Sequence, residues 1–107
     1  MKSTHGINAC YYEDDHWAGA VEMCGGVDKL ISRADLTSLV SQLYDSNGNF
    51  RADVGASMGF PSPSFGVWSG SEYSQYSAWG QRFLASSSAE NYYYRHLATR
   101  LVVCRVD

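Results

Sequence analysis

Apolar residues recur at helical spacing in the first half of the chain and nowhere after residue 46, and this asymmetry narrows the possible folds more than any other feature. Trp17, Ala20, Val21 and Cys24 fall at i, i+3, i+4 and i+7, one face of a helix. Glu13-Asp14-Asp15 precede them with carboxylates suited to capping the helix's positive end, and Gly25-Gly26 follow, where glycine tolerates a left-handed stop. Ser32 and Asp35 form a variant capping box ahead of a second stripe, Leu36, Leu39, Val40, Leu43 and Tyr44, which predicts a helix over 32–44. Asp45-Ser46-Asn47-Gly48-Asn49 is turn chemistry. Beyond it Gly, Ser, Pro, Asn and aromatic residues dominate. Ile7–Tyr12, Phe65–Trp68, Ala78–Leu84 and Leu101–Val106 read as strands, with Trp79 and Phe83 as core anchors and Pro61 and Pro63 bracketing a loop. Helices segregated from strands indicate an α+β fold, two helices packed on a small antiparallel sheet. No internal repeat or linker divides residues 1–107, so one domain is expected.

A net charge of −3, with no run of Lys or Arg, argues against a nucleic-acid partner, which requires a basic face to neutralise phosphates. No stretch approaches the roughly 18 apolar residues that span a bilayer, so direct membrane insertion is not expected. Met1-Lys2-Ser3-Thr4-His5-Gly6 has no apolar leader segment. Two readings are open: a cytoplasmic protein, or a piece of a surface protein whose export or anchor segment lies outside it. The second is adopted here, with an extracellular or cell-surface location as the expectation. Cys10, Cys24 and Cys104 are too far apart for a CxxC metal or redox pair. They are either three buried thiols or one disulfide and one leftover thiol. A Cys24–Cys104 bond with Cys10 left over is the expected pairing, and the chain-entropy model assigns such a loop roughly 4 kcal/mol.

The sequence offers little catalytic chemistry. His5, His16 and His96 do not stand at metal-ligand spacing. Asp45-x-Asn47-x-Asn49 suggests a calcium loop, but Gly48 falls at the fourth position and Ala56 at the twelfth, where an EF-hand needs Gly at the sixth and Glu at the twelfth. No Gly-x-Ser-x-Gly elbow occurs, and Cys104 sits in an apolar run that reads as structural. Neither a metal nor another cofactor is expected, and the chain is read as a binding protein rather than an enzyme.

Several short motifs, in order, resemble the C-type-lectin-like domain family over about residues 7–107. Trp17–Cys24 (WAGAVEMC), Gly25-Gly26 and Leu30-Ile31-Ser32-Arg33-Ala34-Asp35-Leu36 resemble its two-helix half, with Ile31 where the family often has Pro. Val67-Trp68-Ser69-Gly70-Ser71-Glu72 looks like its "WSS-[ST]-E" strand and turn, Ala78-Trp79 through Phe83 like its "AW-x-x-x-F" strand, and Arg100–Arg105 (RLVVCR) like its closing strand. The carboxylate and Asn-Asp pairs that ligate calcium in sugar-binding members are not evident. Formylglycine-generating enzymes share a related fold but depend on reactive cysteines. The sequence resembles more specifically one subgroup, the variable proteins of diversity-generating retroelements, some carried on pilins or other surface proteins, whose hypervariable stretch lies on the C-terminal strands. That resemblance implies a variable region at about 69–99 and a receptor- or adhesin-like role.

The residues of that stretch suit the role. Tyr73, Tyr76, Tyr92, Tyr93 and Tyr94 stand among many serines. Tyrosine supplies rigid contact area with a polar tip and serine adaptable hydrogen bonding, the composition of antibody paratopes. Three consecutive tyrosines on a strand cannot all point inward, so at least one should be exposed. Period-two geometry puts Gly80, Arg82 and Leu84 on one sheet face, opposite Gln81 and Phe83. The expected binding surface is Tyr73, Tyr76, Gly80, Arg82, Leu84, Tyr92, Tyr93, Tyr94, Arg95, His96 and Leu97, for an unknown protein or other macromolecule. Two alternatives stay open: tyrosines that merely fill a β-rich half, where Tyr has good propensity, and a structural pilin or adhesin module with no variable ligand site.

Overall fold

The structure, a computed structural model, describes residues 14–96 and 100–105. Helix α1 spans His16–Cys24. Asp15 caps it by accepting from the Ala18 amide at 2.9 Å, and Trp17, Ala18, Ala20 and Val21 are buried. Gly25 ends it at φ 92°, returning its N–H to the carbonyls of Val21 and Glu22. One 3-10 turn, Val27–Lys29, leads to α2, Arg33–Leu43, where the Ser32 hydroxyl accepts from the Asp35 amide at 3.1 Å. Leu36, Leu39 and Leu43 form its buried stripe. In the following turn the Asp45 carboxylate accepts from the amides of Asn47 and Asn49. A third helix, α3, Ala52–Ser57, corrects the two-helix expectation. It is six residues long, and only Gly55 is buried, against the Phe50 ring.

Strands β1 (Phe65–Glu72), β2 (Ser77–Phe83) and β3 (Ser88–Tyr94) form an antiparallel sheet in the order β1-β2-β3. The molecule is thus α+β, with helices grouped before a small antiparallel sheet. The third strand is Ser88–Tyr94, not the segment from Leu101 that the apolar run suggested. Residues 101–105 divide their bonding between two short partners. Leu101 bridges Val67, while Val103 and Arg105 exchange backbone bonds with Ile31 and Lys29, so no ladder extends. The strand expected at Ile7–Tyr12, together with Cys10 and Val106, lies outside the described residues.

Each sheet face carries its own core. Trp68, Ala78 and Tyr93 share one face and pack with Trp17, Ala20 and Val21 of α1 and with Leu30. Val67 and Phe83 share the other and pack with Ile31 and with Leu36, Leu39 and Leu43 of α2. Phe60, Phe65 and Phe83 stack there, with Phe65 and Phe83 centroids 5.0 Å apart. Cys24 and Cys104, 80 residues apart, form a disulfide that joins the end of α1 to the C-terminal segment. No helix among the described residues is long and apolar enough to cross a membrane.

Candidate functional site

The α2 helix covers only one end of its sheet face. At the other end Trp79 of β2 lies directly across from Tyr92 of β3, and Tyr73 follows the end of β1. Tyr73 and Tyr92 stack with centroids 3.9 Å apart and planes 1° from parallel. Trp79 meets both rings edge-on, at 5.2 and 5.7 Å. The Arg33 guanidinium lies 4.0 Å from the Trp79 ring centroid, an attractive cation–π distance. Glu90 holds it there through two 2.8 Å hydrogen bonds. Those bonds raise the Arg33 pKa and lower that of Glu90. Tyr94, two residues along the same face, has its ring 5.7 Å from His96. Tyr73, Tyr92 and Tyr94 remain 49, 46 and 58% exposed. The result is a ledge of exposed rings with fixed geometry. It can stack against planar groups, bury apolar surface and hydrogen-bond through phenol hydroxyls, with little side-chain freedom left to lose.

The residues expected to form one binding surface are divided by the strand register. Tyr92 and Tyr94 lie on the ledge face. Tyr93 lies on the opposite one, half-buried, with its ring edge-on to Trp68 at 6.3 Å and Arg100 4.3 Å above it. Its hydroxyl is buried and has no hydrogen-bond partner among the described residues. Burial raises the phenol's pKa, while the charges of Arg100 and Arg82 pull it back. Gly80 and Arg82 share the Tyr93 face rather than the ledge. Gly80 is buried, and a Cβ there would lie 2.8 Å from the Val67 carbonyl and 3.1 Å from the Tyr93 ring, so its role is close packing. Leu84 is half-buried at the far end of the β2–β3 hairpin, where its carbonyl accepts from the Tyr44 hydroxyl. Tyr76 is half-buried in the β1–β2 turn, and His96 is half-buried beyond β3. Leu97 lies outside the described residues.

Arg95 departs furthest from expectation. Its side chain is fully buried, hydrogen-bonded to both oxygens of Asp15 and, at 2.6 Å, to Glu72, with its guanidinium 4.8 Å from the Trp17 ring centroid. It is a core cation and cannot reach a ligand. Conversely, sequence reasoning missed Arg33 and Glu90 and assigned Trp79 wholly to the core. The one available signal was period two, which puts Glu90 on the face of Tyr92 and Tyr94.

Among the described residues no group of three or more His, Cys, Asp or Glu is placed to hold a metal ion. Comparison of the chain with protein-family models, curated proteins and solved structures finds no match.

Proposed function

We propose that this chain is a recognition domain, not an enzyme, that binds a partner protein through the ledge of Tyr73, Trp79, Tyr92 and Tyr94. The observation that carries the reading is the Tyr73–Tyr92 stack locked against Trp79 and the Arg33–Glu90 pair. Large aromatic surface left in water at fixed geometry is costly unless a partner covers it, and rigid aromatic anchors are what protein interfaces use. The reading extends to a C-type-lectin-like scaffold and a variable protein of a diversity-generating retroelement, displayed at a cell surface. Two features support that extension: helices over residues 16–43 precede an antiparallel sheet over 65–94, and the tyrosines exposed among the described residues, Tyr73, Tyr92 and Tyr94, all fall between residues 69 and 99.

The DNA locus tests the extension. A reverse transcriptase gene nearby and an imperfect repeat of codons 69–99 are expected. Without them, a structural pilin or adhesin module, its sheet packed on neighbouring subunits, replaces the retroelement reading. The ledge is tested separately with the triple variant Tyr73→Ser, Tyr92→Ser, Tyr94→Ser. It should keep a cooperative thermal transition, lowered only by the roughly 1–2 kcal/mol that the lost ring pairs supply. Loss of that transition would make these rings structural and remove the basis for a binding face.

A further inference from the structure

Strand β3 lies at the edge of the sheet, and among the described residues no strand pairs with its outer side. The register decides which of its backbone groups face outward. The Leu84 N–H donates to the Ser87 carbonyl at one end of the β2–β3 pair, and the Arg95 N–H to the Tyr76 carbonyl at the other, both at 2.8 Å. Alternation between these fixed points directs the N–H and C=O of Ala89, Asn91 and Tyr93 at β2. Those of Ser88, Glu90, Tyr92 and Tyr94 therefore point away from the sheet, while their side chains stand on the ledge face. An open edge of this kind is a template for another strand, and folds usually guard it with lysine, proline or a bulge. β3 has none of the three. Its pairing with β2 runs unbroken from Ser88 to Tyr94, and its one charge, Glu90, is drawn onto the ledge by Arg33. Among the outward donors, the Tyr92 N–H is held by the exposed Asn91 side chain at 2.8 Å.

We propose that this edge pairs with the same edge of a second copy of the chain, antiparallel, about a two-fold axis beside Asn91. The composition of β3 favours that occupant. The strand begins small, with Ser88-Ala89, and ends in three tyrosines. In the register centred on Asn91, Ser88 meets the partner's Tyr94, Ala89 the partner's Tyr93 and Glu90 the partner's Tyr92. Each ring then lies across from a smaller side chain, and no like charges face each other. The same register bonds all four outward residues. An axis at Glu90 would set two carboxylates face to face, and an axis at Tyr92 would leave Ser88 beyond the pairing. As the strands close, the Asn91 carboxamide turns from the Tyr92 N–H toward the partner's Asn91, and that N–H donates to the carbonyl of the partner's Glu90. The axis stands perpendicular to the sheet, so two three-stranded sheets join with both ledges on one face. Two ledges facing one way make a bivalent surface, whose avidity exceeds the affinity of either alone. That consequence rests on the ledge being a binding face; the pairing itself rests on backbone and register.

The experiment is sedimentation of the full, oxidised chain over a range of concentrations, beside amide hydrogen exchange at both ends of that range. A monomer–dimer equilibrium is expected. Association should slow exchange at Glu90, Tyr92 and Tyr94 and leave it unchanged at Ala89, Asn91 and Tyr93, which already bond to β2. Asn91→Lys sets two lysines face to face across the axis and should raise the dimer dissociation constant about threefold or more. The side chain is exposed, so the thermal transition should be kept. Asn91→Glu should weaken association in the same way, and an equimolar mixture of the two variants should restore it. A chain that stays monomeric at every concentration overturns the proposal. So does a dimer indifferent to both substitutions, or one whose protected amides do not alternate along β3. None of these results bears on the ledge, whose test is the thermal transition of the tyrosine variant, so the two readings fail separately.

Discussion

A guanidinium with no exposed surface persists in a fold only where carboxylates meet it, because a lone buried charge costs several kcal/mol. Asp15 and Glu72 meet Arg95, and Asp15 also caps α1, so one carboxylate ties the helix start to the end of β3. Arg95→Leu leaves the Asp15 carboxylate buried and unpaired, and a loss of about 3–5 kcal/mol is expected, read as a lower urea midpoint at unchanged slope. Asp15→Asn keeps a cap acceptor but breaks the charge pair, so it should also destabilise the fold. Equal stability in both variants would remove Arg95 from the core. The three tyrosines before it should rank by face. Tyr93→Ser is expected to cost about 2–3 kcal/mol, as a partly buried ring lost from a core. Tyr92→Ser should cost about 1 kcal/mol, from lost ring pairs. Tyr94→Ser should stay within about 0.5 kcal/mol. Thermal melts of the three variants give the order. Alternation made some of this legible in sequence: three adjacent tyrosines must divide between faces. Arg95 was illegible because a basic residue beside exposed tyrosines reads as surface, and its partner Asp15 is 80 positions away.

At the scale of elements, α1 and α2 were legible because each carries its own stripe, cap and stop, all local. The short α3 has no stripe to read, and β3 is Ser-Ala-Glu-Asn until its tyrosines, a composition that says little of a strand. The apolar run at 101–105 misled because hydrophobicity reports burial, whereas a ladder also needs one continuous partner. The two aromatic anchors of β2 separate in the same way. Phe83 is fully buried in the stacked phenylalanines, and Phe83→Ala should cost about 3–5 kcal/mol. Trp79 is half-covered by Arg33 and two tyrosines, so Trp79→Ala should cost less, about 1–3 kcal/mol, mostly from lost ring and cation contacts. Equal losses in denaturant melts would count against the ledge. Arg33 and Glu90 also join α2 to β3 in a way that responds to pH. The Arg33 hydrogen bonds hold the Glu90 carboxyl below its ordinary value. A carboxyl depressed in the folded state stabilises fully above its unfolded value and loses that contribution as pH falls through the depressed one. The parent chain should therefore lose a small increment of melting temperature in acid, below the ordinary glutamate range. Arg33→Gln should flatten that part of the profile, an effect kept small because both side chains lie largely in water.

Across the whole molecule, the sheet separates two cores, and the disulfide holds the C-terminal segment against α1 and β1. That segment has few backbone bonds of its own, so the covalent link restricts its excursions in the unfolded chain as well as the folded one. Reduction, or Cys104→Ser, should cost roughly 4 kcal/mol on the chain-entropy account. The check is a pair of melts with and without reductant, beside mass mapping of the unreduced protein. Because the bond lies between residues 24 and 104, it also decides how the domain answers a pull applied at its two ends. Tension passes along the chain to Cys24, crosses the sulfurs and leaves from Cys104, so the sheet and α2 sit inside a shielded loop. In single-molecule stretching the oxidised domain should therefore give up only the slack outside that loop. After reduction the enclosed 80-residue span becomes extensible, adding about 3.3–3.6 Å for each residue drawn out. The aromatic ledge would thus stay assembled under loads that unravel an unlinked chain.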